Sequence, residues 1–381
     1  MRLIIAGGGT GGHLFPGIAV AEEFLARDPS NQVLFVGTVN GIEARVVPAA
    51  GYGLELISAA GIRGKGLVSQ AQGALMMVKG FWQSRRIIKN FRPDMVLGVG
   101  GYASLPMLMA ARQMEVPCFI HEQNAIPGKT NRLLSRMATL VFVTVAESVA
   151  YFGGVQTLLT GNPLRRQILN NQGHGLQDAG PAKDVDGQRT PDNGQRFHLL
   201  VFGGSQGARA INNAMTEALP FLKQADIGIA ITHQTGAKEA DQVSQRYQQQ
   251  GVPATVTAFI DDMAAAYRQA DLVICRAGAT TIAELTACAK AALFIPFPHA
   301  VDDHQRLNAE ALVKNGAGFM LLERDLSGVV LSETIIRLAA DRALLQKTGE
   351  LAFGMARPDA AKIIVDAMTG LENRRSAHPA N

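Results

Sequence analysis

Cysteine is scarce in this chain. Its three thiols, Cys118, Cys275 and Cys288, show no paired spacing. That argues against a disulfide framework and against the common zinc sets, and it suits a reducing compartment. Charge is sparse too. Asp, Glu, Lys and Arg make up 18% of the residues, with a formal net charge of only +4. So mild a basic balance fits phosphorylated ligands or an anionic membrane surface and is too weak to indicate nucleic acid. No uncharged apolar run reaches the roughly 18 residues that a membrane span needs. The first apolar run starts at Leu3, so no signal peptide is expected ahead of it. What abounds is glycine, with 40 residues, and apolar side chains, at 47%. Over 381 residues these suit two α/β domains joined by many tight turns.

Short apolar runs alternate with helical patterns along the first half, at 3–6, 33–36, 54–58, 95–99, 118–121, 140–143 and 157–160. Further runs follow at 197–202, 227–232, 255–257, 272–275, 291–295 and 318–321. That alternation predicts mostly parallel sheets covered on both faces. The expected division is a first domain over 1–163, rejoined by a C-terminal helix at 346–368, and a second domain over 164–345. The polar stretch 170–196 reads as a flexible insertion, and 369–381 as a polar, frayed tail.

Two glycine loops stand out. Residues 7–13 read Gly-Gly-Gly-Thr-Gly-Gly-His, and residues 203–208 read Gly-Gly-Ser-Gln-Gly-Ala. Each follows an apolar run and precedes a helical stretch, the setting in which backbone N–H groups and a helix's positive end favour phosphate. Gly7, Gly9 and Gly12 also satisfy G-x-G-x-x-G. A nicotinamide site wants an acidic residue at the end of the second strand, however, and the nearest carboxylate is Glu43. The triplet Gly128, Lys129 and Thr130 imitates the end of an ATP loop, but Gln123 stands where its first glycine belongs.

His13 closes the first loop at the head of a helix, where the positive helix end favours a neutral ring able to accept a proton. It is either a base or a histidine that satisfies the turn. His121, Glu122, Gln123 and Asn124 follow an apolar strand, at the end where such folds place chemistry. Glu122 either acts as a general base or orients an amide or hydroxyl. Tyr102 follows the preceding strand. In the second half, Gly278, Thr280 and Thr281 suit a phosphate at a helix start. Glu284 suits either a ribose diol or the helix dipole. His299, Asp302, Asp303 and His304 match no standard metal spacing, whereas Asp303 and Gln305 suit sugar hydroxyls.

Six ordered motifs go further: 7–13, His-Glu-Gln-Asn at 121–124, Gly-Asn-Pro-Leu-Arg at 161–165, 203–208, Arg-Ala-Gly-Ala-Thr-Thr-Ile-Ala-Glu at 276–284, and Asp-Asp-His-Gln-x-x-Asn-Ala at 302–309. Together they resemble the MurG family of peptidoglycan N-acetylglucosaminyltransferases, over residues 2 to about 368. The resemblance implies a GT-B fold, two Rossmann-like domains facing a central cleft. It implies inverting transfer of N-acetylglucosamine from UDP-N-acetylglucosamine to the C4 hydroxyl of undecaprenyl-diphospho-N-acetylmuramoyl-pentapeptide (lipid I). By the same likeness Arg165, Ser205, Ile260, Ala279, Thr280, Thr281, Ile282, Ala283, Glu284 and Gln305 match donor contacts. Thr10, Gly11, Gly12 and Asn124 lie toward the sugar and acceptor, and His13 and Glu122 are the catalytic candidates. No cofactor, metal or nucleic acid is implied. The implied partners are the two substrates, an anionic membrane surface and other cell-wall synthesis proteins, at the cytoplasmic face of the bacterial membrane. The rival readings are another GT-B enzyme, a UDP-sugar epimerase, and a nucleotide-sugar binder without activity. Residues 67–92 mix apolar bulk with Lys79, Arg85, Arg86 and Lys89, and hold the one tryptophan, Trp82. They are either a covering helix with a basic edge or a membrane-facing one.

Overall fold

The computed structural model describes residues 1–39, 41–60, 67–170, 196–204, 206–300 and 303–377. The insertion expected at 170–196 therefore lies, but for its end residues, outside the described residues, as do Ser205 and Asp302. The chain forms two compact units.

Unit 1 holds a seven-stranded parallel sheet among the described residues. Its strands are β1 (Arg2–Gly7), β2 (Gln32–Gly37), β3 (Gly53–Leu56), β4 (Met95–Gly100), β5 (Cys118–Glu122), β6 (Leu140–Val143) and β7 (Thr157–Leu159). Their order is β3-β2-β1-β4-β5-β6-β7. Both faces of the central strands are covered, which is why β1, β4 and β5 read as unbroken apolar runs. Leu3, Ile5, Leu97 and Phe119 pack on one side with Leu14 and Phe24 of the first helix, Gly11–Arg27. Ile4, Val96 and Ile120 pack on the other with Met107 and Leu108 of the helix Ser104–Gln113.

Among the described residues unit 2 holds six parallel strands: β8 (Phe197–Phe202), β9 (Ile229–Gln234), β10 (Ala254–Thr257), β11 (Leu272–Cys275), β12 (Ala292–Phe294) and β13 (Phe319–Met320). Their order, β10-β9-β8-β11-β12-β13, repeats that of the first six strands of unit 1. In each sheet the order reverses between the first and fourth strands, at β1/β4 and at β8/β11. The crevice outside the carboxyl ends there is where doubly wound sheets bind ligands.

Two boundaries differ from the sequence expectation. The units meet at 166/167 and 356/357 rather than at 163/164 and 345/346. The single helix expected at 346–368 is two, Arg342–Gly354 in unit 2 and Ala360–Ala377 in unit 1. Pro358 is the cause, since it lacks an N–H and disfavours helical backbone at Arg357. The tail expected to fray from 369 stays helical to Ala377. Leu371 still packs beside the core there, next to buried Ile364, Val365 and Met368.

The last helix thus completes the core of unit 1. Replacing Ile364 with alanine removes a fully buried side chain and should cost about 2–5 kcal/mol. Hydrogen exchange should show the loss in β1 and β4 and leave β8 and β11 protected. Equal loss in both sheets would mean that the helix does not belong to unit 1 alone.

Candidate active site

At the carboxyl end of β1 the chain turns through Gly7, Gly8 and Gly9 into the first helix. The Gly8 N–H donates to the Gly100 carbonyl at 3.2 Å, so the ends of β1 and β4 touch backbone to backbone. Gly100, at φ +99°, has the His13 ring where a Cβ would stand, 2.7 Å from Nδ1. Any side chain there would displace the imidazole. Ser104 ties the turn together, accepting the Gly100 N–H at 3.1 Å with a hydroxyl 2.8 Å from the Ala6 carbonyl.

Glu43, read from sequence only as a carboxylate too late for a nicotinamide ribose, turns into the loop. It is 1% exposed. Oε2 accepts the Gly9 N–H at 2.7 Å, and Oε1 accepts the Thr38 N–H at 2.8 Å and the Thr38 hydroxyl at 3.1 Å. The expectation that the first loop offers its amides to a phosphate is therefore corrected at Gly9, whose N–H is taken by a built-in anion. The next donors along are those of the helix start. Thr10 makes no side-chain cap there, and no acidic residue stands in the first turn, so that helix start keeps a positive end. Beside the loop opens a cavity of about 590 Å³, walled by Gly9, Thr10, Thr38, Ser58, Met76 and Tyr102 among others.

His13 is half-buried, with Nδ1 3.0 Å from Gln123 Oε1. Glu122 is placed differently. It is 1% exposed, and both carboxylate oxygens are engaged. Oε1 accepts the Asn124 N–H at 2.9 Å and its side-chain amide at 3.3 Å, while Oε2 accepts the Gly128 N–H at 3.1 Å and Asn131 Nδ2 at 2.8 Å. Such a carboxylate organises the loop after β5 and holds Asn124, and this geometry argues against it as a base. Arg165 falls in unit 1, not in the second domain as expected. Its guanidinium lies over the Phe15 ring, 4.0 Å from the centroid, two residues along from His13.

In unit 2 the loop after β8 packs against the loop after β9. At Gly207, φ +75°, a Cβ would come within 1.8 Å of the Thr235 carbonyl, so only glycine allows the approach. Gln234 donates to the Gly204 carbonyl at 2.9 Å. Ser205, matched to a donor contact, lies outside the described residues. After β11 the helix Ala279–Ala287 begins behind Gly278 with no side-chain cap and no acidic residue in its first turn. Ala279, Thr280 and Thr281 form that turn, followed by Ile282, Ala283 and Glu284. Glu284 is 6% exposed, and Oε2 accepts the Tyr267 hydroxyl at 3.0 Å. Its place beyond the first turn weakens the helix-dipole reading, since that effect fades within one turn. Burial holds Tyr267 well above the ordinary phenol range, with the Glu284 charge adding to it, so the hydroxyl keeps its proton and donates.

Gln305 Oε1 accepts the Phe297 N–H at 3.0 Å, which leaves its NH2 as the donating end. Asp303, proposed for sugar hydroxyls, instead pairs with Arg306. Arg276 turns away from the helix start, donating to the carbonyls of Ile295 and Pro296 and pairing with Glu323 at 2.5 Å. Ile260 is half-buried in the loop between β10 and the helix Met263–Gln269. Sequence reasoning missed Tyr267. Its one signal was a lone aromatic in an alanine-rich helix.

On the helix Leu67–Phe91, Gly80, Ser84 and Ile88 are buried at i, i+4 spacing. Leu75, Val78 and Trp82 are 71%, 56% and 60% exposed on another face, with Lys79, Arg86 and Lys89 also exposed. Arg85 lies over the Trp82 ring at 5.2 Å. No described helix is long and apolar enough to cross a membrane.

Two family models match in order: the glycosyltransferase family 28 N-terminal domain over residues 3–143, and the family 28 C-terminal domain over residues 198–364. A UDP-N-acetylglucosamine--N-acetylmuramyl-(pentapeptide) pyrophosphoryl-undecaprenol N-acetylglucosamine transferase from Pelobacter propionicus is 64% identical over 372 residues, 96% of this chain and 98% of the relative. The protein of that name from Geobacter metallireducens is 60% identical over 368 residues, 97% and 98% of the two chains. Among solved structures, Acinetobacter baumannii MurG has a TM-score of 0.70 at 31% identity, covering 97% of this chain and 99% of that one. The structure of Staphylococcus aureus MnaA with UDP reaches 0.66 at 14% identity, covering 98% and 97%. A likeness at that identity shows a shared fold only. With both domain models in order and near-full-length relatives above half identical, the chain belongs to the MurG family of glycosyltransferases, within glycosyltransferase family 28.

Proposed function

We propose that this chain transfers N-acetylglucosamine from UDP-N-acetylglucosamine to the C4 hydroxyl of lipid I, inverting the anomeric centre and releasing UDP and lipid II. The observation that carries this reading is the arrangement around the helix Ala279–Ala287. An uncapped helix start stands ahead of a buried carboxylate whose one oxygen is held by Tyr267. The helix start suits a diphosphate, and a buried carboxylate in the same helix suits a ribose hydroxyl. The rival binder and epimerase readings lose ground to the near-full-length identity to named transferases.

In a single displacement the acceptor oxygen bonds to the anomeric carbon as the bond to the β-phosphate oxygen breaks. The electron pair leaves on UDP, and the hydroxyl proton goes to a base. His13 is our choice for that base, since its half-buried ring stands against Gly100 at the carboxyl end of β4 while Glu122 is saturated by four donors. Helix starts at Thr10 and Gly278 supply positive potential for the acceptor and donor phosphates.

We place the membrane contact on the exposed face of the helix Leu67–Phe91. Apolar side chains flanked by cations suit an interface rich in anionic lipid. Because the acceptor carries a polyprenyl chain, attachment to the cytoplasmic leaflet is reversible and peripheral.

A transfer assay with labelled UDP-N-acetylglucosamine and a short-chain lipid I analogue tests the reaction. UDP should appear only with the acceptor present, in equal amount to lipid II. Glu284→Ala should weaken UDP-N-acetylglucosamine binding by about 10–10²-fold, the loss of a charge-assisted hydrogen bond of roughly 1.5–3 kcal/mol. Unchanged affinity in calorimetry would remove Glu284 from the donor site. His13→Ala should lower kcat by about 10²–10⁴-fold with donor affinity kept. Loss of turnover only in Glu122→Gln would reverse the choice of base. With anionic liposomes at low salt, the double variant Leu75→Gln, Trp82→Gln should pellet less than the parent and bind UDP-N-acetylglucosamine equally. Equal pelleting would move the contact elsewhere.

A further inference from the structure

A chain of side chains runs behind His13 into the core of unit 1. His121 is fully buried at the end of β5, and its Nε2 lies 3.2 Å from the Gly161 carbonyl oxygen. Its Nδ1 lies 3.1 Å from Gln123 Nε2. Gln123 is 3% exposed, its Nε2 also donates to the Val99 carbonyl at 2.8 Å, and its Oε1 faces His13 Nδ1 at 3.0 Å.

Each direction in this chain follows from the one before it. A carbonyl oxygen only accepts, so His121 Nε2 carries a proton toward Gly161. Burial holds His121 well below the usual histidine range, at about 4, so at neutral pH it has that one proton and Nδ1 is bare. The group facing Nδ1 must then donate, and Val99 demands a donor from the same place. Both requirements turn the Gln123 NH2 inward, and its oxygen is left pointing at His13. An amide oxygen also only accepts, so the atom opposite it, His13 Nδ1, must carry hydrogen. A neutral His13 then has its lone pair on Nε2, on the far side of the ring.

We propose that Gln123 is a positioning residue for transfer: it holds His13 with the proton on Nδ1 and the lone pair on Nε2, the atom that takes the acceptor proton. The proposal rests on His13 being the base. Without Gln123 the ring can place its single proton on either nitrogen and rotate against Gly100. The fraction that presents a lone pair to the substrate then falls. His121 acts one step further back, as the acceptor that keeps the Gln123 amide from flipping. Gln123 touches no substrate in this account, so donor affinity does not depend on it.

Nitrogen-15 NMR tests the tautomer directly in the intact protein. The chain has eight histidines, and His13 is assigned by the signal missing in His13→Ala. At about pH 8.5, some two units above the ordinary histidine range, wild-type His13 should show a protonated Nδ1 and a bare Nε2. A ring with the proton on Nε2 would overturn the proposal without any variant. Gln123→Met, which keeps bulk but offers no amide, should give mixed tautomer signals. It should lower kcat by about 10²-fold and leave the KM for UDP-N-acetylglucosamine unchanged. If Gln123→Met keeps both the tautomer and kcat, Gln123 does not position the ring, whatever His13 does. If the tautomer is as stated but His13→Ala turns over normally, the base assignment is what fails. A melting curve for Gln123→Met separates loss of fold from loss of position.

Discussion

The imidazole of His13 lies against the bare backbone of Gly100, and the architecture of the first site follows from that contact. It requires that β1 and β4 end together, which the reversal of strand order at that point provides. It requires glycine at the ends of both strands, because a Cβ on Gly7 would come within 2.3 Å of the Gly100 carbonyl oxygen and one on Gly100 within 2.7 Å of His13 Nδ1. A loop of consecutive glycines gains nothing from side-chain packing, so something else must hold its shape. Here that is Glu43 from below and Ser104 from the side. The ring is held at Nδ1 by Gln123.

The two units share a strand order and use it differently. At β1/β4 a buried carboxylate takes the Gly9 N–H, which in other doubly wound sheets is free to meet a ligand phosphate. Burying that charge is tolerable because Gly9 and Thr38 supply three hydrogen bonds to it. In unit 2 the buried carboxylate is Glu284, which accepts the Tyr267 hydroxyl. A carboxylate held at both oxygens, as Glu43 and Glu122 are, is suited to orient its own loop. Around these sites both sheets are buried on two faces, so the strand ends that carry chemistry rest on rigid supports.

Much of this was legible in the sequence. Every expected strand is present within two residues, and the central ones read as continuous apolar runs because both their faces are covered. The loops and helix starts were legible too, since glycine followed by an amphipathic stretch has few other uses. The break at Pro358 was not, because apolar periodicity runs on through 351–368 and does not say which core each turn enters. Nor was the fate of individual carboxylates. Glu43, Glu122 and Asp303 look alike as letters. Their roles depend on which N–H groups or cations the fold brings to them, and those come from residues up to tens of positions away. Gln123 was visible within its motif, but hydrogen-bond direction is a property of the assembled chain.

The central claim is that one base and one displacement move the sugar. The anomeric configuration of the product tests it most directly. Proton NMR of the disaccharide released from enzymatically made lipid II should show N-acetylglucosamine β-linked to the C4 oxygen, opposite in configuration to the α-linked UDP-sugar donor. An α linkage, or a link to any other hydroxyl, would contradict the account.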